Sequence, residues 1–176
     1  DRWILARLSS LVLEVEKHLD DYELDKAARP IMGFVDDLST WYLRRSRKRF
    51  KAEDLVEKNS ALSTTRYVLI ELSKIVAPFM PFIAEEIYQK VTTKGTLQGS
   101  TFRTTFRKVE PCSVHLEGWS ILGEILDDEI FAKEKIFEEM RLVRQIVSVS
   151  LDERKRLGIP VRQPLGELKM KNEKLK

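Results

Sequence analysis

Residues 41 to 50 read Trp41-Tyr42-Leu43-Arg44-Arg45-Ser46-Arg47-Lys48-Arg49-Phe50. Five of these ten residues are basic and three are aromatic. Ahead of them lie Ile31, Phe34, Val35, Leu38, Trp41 and Tyr42, apolar positions spaced three and four apart, which is the period of a helix and not of a strand. At about 100° per residue, Tyr42, Arg45 and Arg49 continue the line of Leu38. Arg44 and Lys48 share one flank, and Arg47 points roughly the opposite way. The stretch therefore predicts a helix whose buried stripe runs into a fan of cations. Guanidinium groups pair with phosphate, and both guanidinium and aromatic rings stack on splayed bases, so the combination suits RNA. The competing explanation is a solvated basic helix end, where cations complement the helix dipole.

Working outward, the same period recurs. Ile4, Leu8, Leu11, Val12, Val15 and Leu19 predict a first helix over about 1–19 with Asp1 as N-cap, and Asp20-Asp21-Tyr22 marks the turn. The second helix starts near Tyr22 or Glu23 and reaches about Phe50, with Pro30 expected to kink or break it. A third helix is expected from Ser60 or Ser63, with Ser60, Ser63 and Thr64 as caps. Its apolar set is Leu62, Tyr67, Leu69, Ile70, Leu72, Ile75 and Val76, and it stops at Ala77-Pro78. A fourth spans about Pro81 to Val91, with Phe82, Ile83, Ile87 and Tyr88 facing inward. Residues 92–120 lose the period and read as an irregular connector. A fifth helix, from about Asp127 to Leu157, carries Ile136, Met140, Val143, Val147 and Leu151 and ends at Gly158. Pro160 and Pro164 give the tail, 158–176, extended character. The predicted fold class is all-α: a helical bundle over 1–157 with an irregular connector and a short extended tail.

A hydrophobic share of 43% is that of a globular domain, and 34% charged residues fits long helices with solvated outer faces. The net charge of +3 is too mild to argue for nucleic acid; the clustering over 44–51 is what does. The single cysteine, Cys112, excludes an internal disulfide and fits a reducing, cytoplasmic setting. No signal peptide or apolar run of membrane length is present. Both ends of the sequence read as cuts through a longer protein.

The catalytic inventory is thin. His18 reads as a surface residue beside Lys17 and Asp20. Cys112 and His115 make a Cys-x-x-His pair, and two ligands do not make a structural zinc site, so no metal site is expected. Gly95 and Gly99 fit no phosphate-binding pattern, and Glu85-Glu86 read as a solvated helix face. No catalytic residue is expected. The remaining polar signals are basic: Arg141 and Arg144 flank the fifth stripe, Arg154, Lys155 and Arg156 crowd its end, and Arg162 follows in the tail.

Four strings, in order, resemble one family. Val35 to Phe50 resembles the helix that closes the first half of the anticodon-binding domain of isoleucyl-tRNA synthetases. Ala77-Pro-Phe-Met-Pro-Phe-Ile-Ala-Glu-Glu-Ile-Tyr88 resembles a motif of that domain shared with valyl and leucyl relatives. Ser113-Val-His-Leu-Glu-Gly-Trp119 and Gly158-Ile-Pro-Val-Arg-Gln-Pro-Leu165 resemble the segments that follow. The resemblance covers about residues 1 to 170; only the polar insertion at 92–112 departs from it. It implies an anticodon-binding helical bundle that binds the anticodon stem-loop of tRNA-Ile, in cis to the rest of a synthetase that joins isoleucine to its tRNA with ATP and Mg. The family's activation motifs, His-Ile-Gly-His and Lys-Met-Ser-Lys-Ser, are absent from this sequence. The resemblance thus implies a piece, expected to be monomeric and cofactor-free, that binds tRNA without charging it. The tRNA-binding candidates it implies are Trp41, Arg44, Arg45, Arg47, Arg49 and Phe50, with Arg144 and Arg162 as additions. A valyl- or leucyl-type domain, or a helical protein-interaction module with an acidic partner, is the alternative.

Overall fold

A computed structural model of the chain describes residues 1–92, 113–120 and 133–167. The chain divides into two units, Asp1–Ile130 and Phe131–Lys176. In the first, α1 (Arg2–Asp20) packs along α2 (Leu24–Asp36). A π-helical stretch, Asp37–Leu43, continues α2 and leads directly into α3 (Arg44–Phe50). Then α4 (Leu55–Val76) packs against α5 (Pro81–Thr92), and a 3-10 turn, Val114–Leu116, lies against both. No strand occurs among the described residues. The core joins Ile4, Leu8, Val12 and Val15 of α1 to Ile31 and Phe34 of α2, Val68, Leu72 and Ile75 of α4, and Ala84 and Tyr88 of α5.

Several expected boundaries move, each for a local reason. Pro30 lies inside α2, which runs through it unbroken; one missing N–H bond leaves the neighbouring turns intact. The irregularity falls later, at 37–43. There the widened turn puts the inward positions four apart, at Phe34, Leu38, Tyr42 and Ser46, all buried. Val35 consequently faces solvent, and Arg45 leaves the line of Leu38. The hydroxyls of Ser39 and Thr40 both donate to the Asp36 carbonyl at the mouth of this turn, at 3.2 and 2.8 Å.

The third expected helix starts earlier than Ser60. Asp54 is its N-cap, its carboxylate accepting from the Val56 N–H at 2.9 Å. The first turn is exposed at Leu55 and Val56, so it carries no apolar period. Within the helix the Thr64 hydroxyl bonds back to the Ser60 carbonyl and does not cap. Asp1 stands at the N-cap of α1, yet only its backbone carbonyl serves the helix, accepting from the Ile4 and Leu5 N–H groups. The inward face of α5 is Ala84 and Tyr88, four apart, while Phe82 and Ile83 are exposed. Pro81 does open that helix.

In the second unit, α6 (Lys133–Arg156) is the described part of the fifth expected helix; residues 121–132, like 93–112 of the connector and Cys112, lie outside the described residues. It ends at Gly158, whose φ of 68° is left-handed. The Ile159 N–H reaches the Arg154 carbonyl and the Gly158 N–H reaches that of Lys155. The tail turns back where the Gln163 N–H meets the Pro160 carbonyl at 3.0 Å, and the Arg154 guanidinium ties this turn down through the Pro160 and Gln163 carbonyls.

Candidate nucleic-acid interface

The helix α3 reads Arg-Arg-Ser-Arg-Lys-Arg-Phe, five cations in seven residues. Helices this short do not hold themselves in water. Here the π-helical stretch feeds α3 without a break, and buried Ser46 seats it on the bundle. With Ser46 inward, Arg44, Arg45, Arg47 and Lys48 are all exposed, and among the described residues none of the four has an ion-pair partner. Trp41 and Phe50 are half-buried at the two ends of the same stretch. The result is a row of uncompensated cations on a fixed backbone, framed by aromatic edges. Such a surface attracts polyanions by charge and can stack on bases.

Arg49 is placed differently from its neighbours. Its Nη1 and Nη2 donate to the two carboxylate oxygens of Asp1 at 2.6 and 2.8 Å, and its Nε faces Glu57 at 3.4 Å. The Tyr42 hydroxyl donates to the same Asp1 carboxylate at 2.7 Å, and Ser60 approaches it at 3.4 Å. Of the six candidates along 41–50, three (Arg44, Arg45 and Arg47) are exposed on α3, Trp41 and Phe50 are half-buried at the two ends of the stretch, and Arg49 is turned into an internal ion pair. Arg144, half-buried on α6, and Arg162, exposed in the tail, belong to the second unit.

A polar cluster outside the basic stretch was hidden in the sequence. Glu85 is no solvated face. Its carboxylate accepts from the Ser113 hydroxyl at 2.8 Å and the Val114 N–H at 2.9 Å, capping the 3-10 turn, while Gln89 donates to its other oxygen at 2.7 Å. The Gln89 bond, followed by those from Ser113 and Val114, holds the Glu85 carboxyl below the usual glutamate range. Tyr88 donates to Glu117 at 2.6 Å, and Lys74 lies between Glu71 and Glu117. Together these pin 113–117 onto α4 and α5. Glu86 does behave as a surface residue, paired with Lys90.

Among the described residues, one group has metal-ligand spacing: His18, Asp21 and Glu23 at the α1–α2 turn. Its cation is a side chain. Lys26 donates to Glu23 at 2.6 Å and His18 contacts the other oxygen at 3.0 Å, so Glu23 is held below its ordinary range by Lys26 first and His18 second. His18 is thus half-buried and bonded, not a free surface residue. No described helix is long and apolar enough to cross a membrane.

Comparison with known proteins identifies the family. The family model described as the anticodon-binding domain of tRNA ligase matches residues 1–170. An isoleucine–tRNA ligase of Dehalococcoides mccartyi (strain CBDB1) is 40% identical over 171 residues, 97% of this chain and 15% of that protein. One from Chlamydia trachomatis serovar D is 40% identical over 168 residues, 94% of this chain and 14% of that protein. One from Bacillus thuringiensis (strain Al Hakam) is 37% identical over 169 residues, 96% of this chain and 14% of that protein. The chain thus spans about 15% of the length of the curated relatives it matches. An all-α chain that matches that family model over residues 1–170 belongs to the anticodon-binding domains of tRNA ligases.

Proposed function

We propose that this chain is the tRNA-binding module of an isoleucine–tRNA ligase and that Arg44, Arg45 and Arg47 carry its contact with the anticodon stem-loop of tRNA-Ile. The observation that supports this most directly is the row of exposed cations on α3 that lack a counter-ion among the described residues. Guanidinium forks suit phosphate and base edges, and Trp41 and Phe50 offer faces for unstacked loop bases. Arg144 and Arg162 are further candidates on the second unit. Recognition, not chemistry, is the role assigned to the chain. ATP and Mg would serve the activating parts of a full ligase, working in cis with this module, monomeric, in the cytoplasm. Filter binding against tRNA-Ile and a non-cognate tRNA tests the proposal. Tighter binding of tRNA-Ile that weakens with added salt is expected; equal, salt-independent retention of both would overturn it.

A further inference from the structure

We infer that Arg49 is a positioning residue of the tRNA face and makes no contact with the RNA. The inference rests on the tRNA-facing reading of Arg44, Arg45 and Arg47. All three guanidinium nitrogens of Arg49 are engaged: Nη1 and Nη2 with Asp1, Nε with Glu57. The Arg49 charge is already met by two carboxylates, so it has little left with which to attract a phosphate. The same Asp1 carboxylate takes the hydroxyl of Tyr42, which is only 6% exposed. One fork thereby ties the end of α3 to the start of α1, the π-helical stretch and the first turns of α4. A seven-residue helix has little stiffness of its own. Its upstream end is set by the π-helical stretch and its downstream end by this latch. The two together aim Arg44, Arg45, Arg47 and Lys48.

The latch makes a prediction that charge alone does not. Asp1→Asn removes a negative charge near the proposed RNA site, so simple electrostatics would tighten binding. Loss of the latch weakens it. The test measures affinity for the anticodon stem-loop RNA of tRNA-Ile across salt concentrations, well below the melting temperature of each variant. Arg45→Gln should flatten the slope of log K against log salt by about 0.7 to 0.9 and leave melting unchanged. Arg49→Gln and Asp1→Asn should each weaken binding by about 2- to 30-fold with the slope unchanged, and the double variant should be no weaker than the worse single, as expected of partners in one network. Arg49→Lys, which keeps the charge and loses the fork, should fall between wild type and Arg49→Gln.

Three results overturn the inference. The first is a slope change in Arg49→Gln equal to that in Arg45→Gln. The second is tighter binding by Asp1→Asn. The third is lower melting in Arg49→Gln with wild-type affinity in the folded protein, which would make the latch purely structural. If the wild-type chain binds no RNA, or Arg45→Gln changes neither slope nor affinity, the reading of the cation row fails and takes the positioning role with it. That failure shows in those two arms alone.

Discussion

Arg7 of α1 and Asp37 at the start of the π-helical stretch are bonded across the first unit, Nε donating to Oδ2 at 2.9 Å. The Asp37 side chain is 8% exposed and that of Arg7 31%. A carboxylate so placed depends on its partners, because burial disfavours its charge. The pair thus anchors the widened turn from which the basic helix departs.

Arg7→Met takes one charged hydrogen bond from a buried carboxylate, so it should cost about 1–3 kcal/mol. The double change Arg7→Met with Asp37→Leu should recover most of that, since apolar replacement of both members of a buried pair is often neutral. Urea unfolding of the two variants measures both values. A double variant as unstable as the single would show that the Asp37 carboxylate matters for more than its bond to Arg7.

Two helices end in the same geometry with different residues in the left-handed position. Tyr22 has φ 57° after α1, with the Glu23 N–H on the His18 carbonyl and its own N–H on that of Leu19. Gly158 has φ 68° after α6. A side chain in this conformation costs about 1 kcal/mol that glycine does not incur. The Tyr22 side chain is 92% exposed and contributes little packing, so Tyr22→Gly should stabilise the first unit by roughly 0.5–1 kcal/mol. A Cβ at Gly158 would meet nothing within 4 Å, so Gly158→Ala should lose about 1 kcal/mol through the backbone alone. The melting temperature should rise in the first variant, and amide exchange at Ile159 should quicken in the second.

The helical architecture was legible because α1, α2 and the second half of α4 each bury one face at a period near 3.6. The basic stretch was legible because five cations crowd into seven residues. The π-helical stretch was not: it breaks the roughly 3.6-residue period inside an uninterrupted apolar run, and that period puts Arg45 on the inward line where the structure has Ser46. The fate of Arg49 was not legible either, because its partner Asp1 is 48 residues away and nothing local marks the pair. Glu85 looked like half of a solvated pair because its role depends on Ser113 and Val114, which the fold alone brings near. Asp54 carried a readable cap signal, but the exposed turn after it lacked the stripe that would have drawn attention to it.

The Glu85 cap implies a pH dependence of definite sign. A carboxyl held below its ordinary range stabilises the fold above that range, and the contribution is lost as pH falls through the lowered value. Protection of the Val114 amide against exchange should therefore hold at neutral pH and fall in acid. Glu85→Gln should lower it already at neutral pH. Protection that is unchanged in the variant would remove Glu85 from this role.

Pro30 occupies an interior position of α2 and deprives the Lys26 carbonyl of its helix partner. Restoring the N–H by Pro30→Ala, offset by the greater freedom of the unfolded chain, should raise stability by between zero and about 2 kcal/mol. Thermal melting decides this, and a clear drop would show that the ring itself is needed where α2 packs on α1.

The central claim is that the cations of α3 face tRNA, and the triple variant Arg44→Gln, Arg45→Gln, Arg47→Gln tests it most directly. These side chains are exposed, so helix content and melting should match wild type. Its affinity for tRNA-Ile should fall, and the slope of log K against log salt should flatten by about 2.1 to 2.7, as about 0.7 to 0.9 for each of three lost phosphate contacts requires. A folded triple variant that keeps wild-type affinity and wild-type slope would contradict the account.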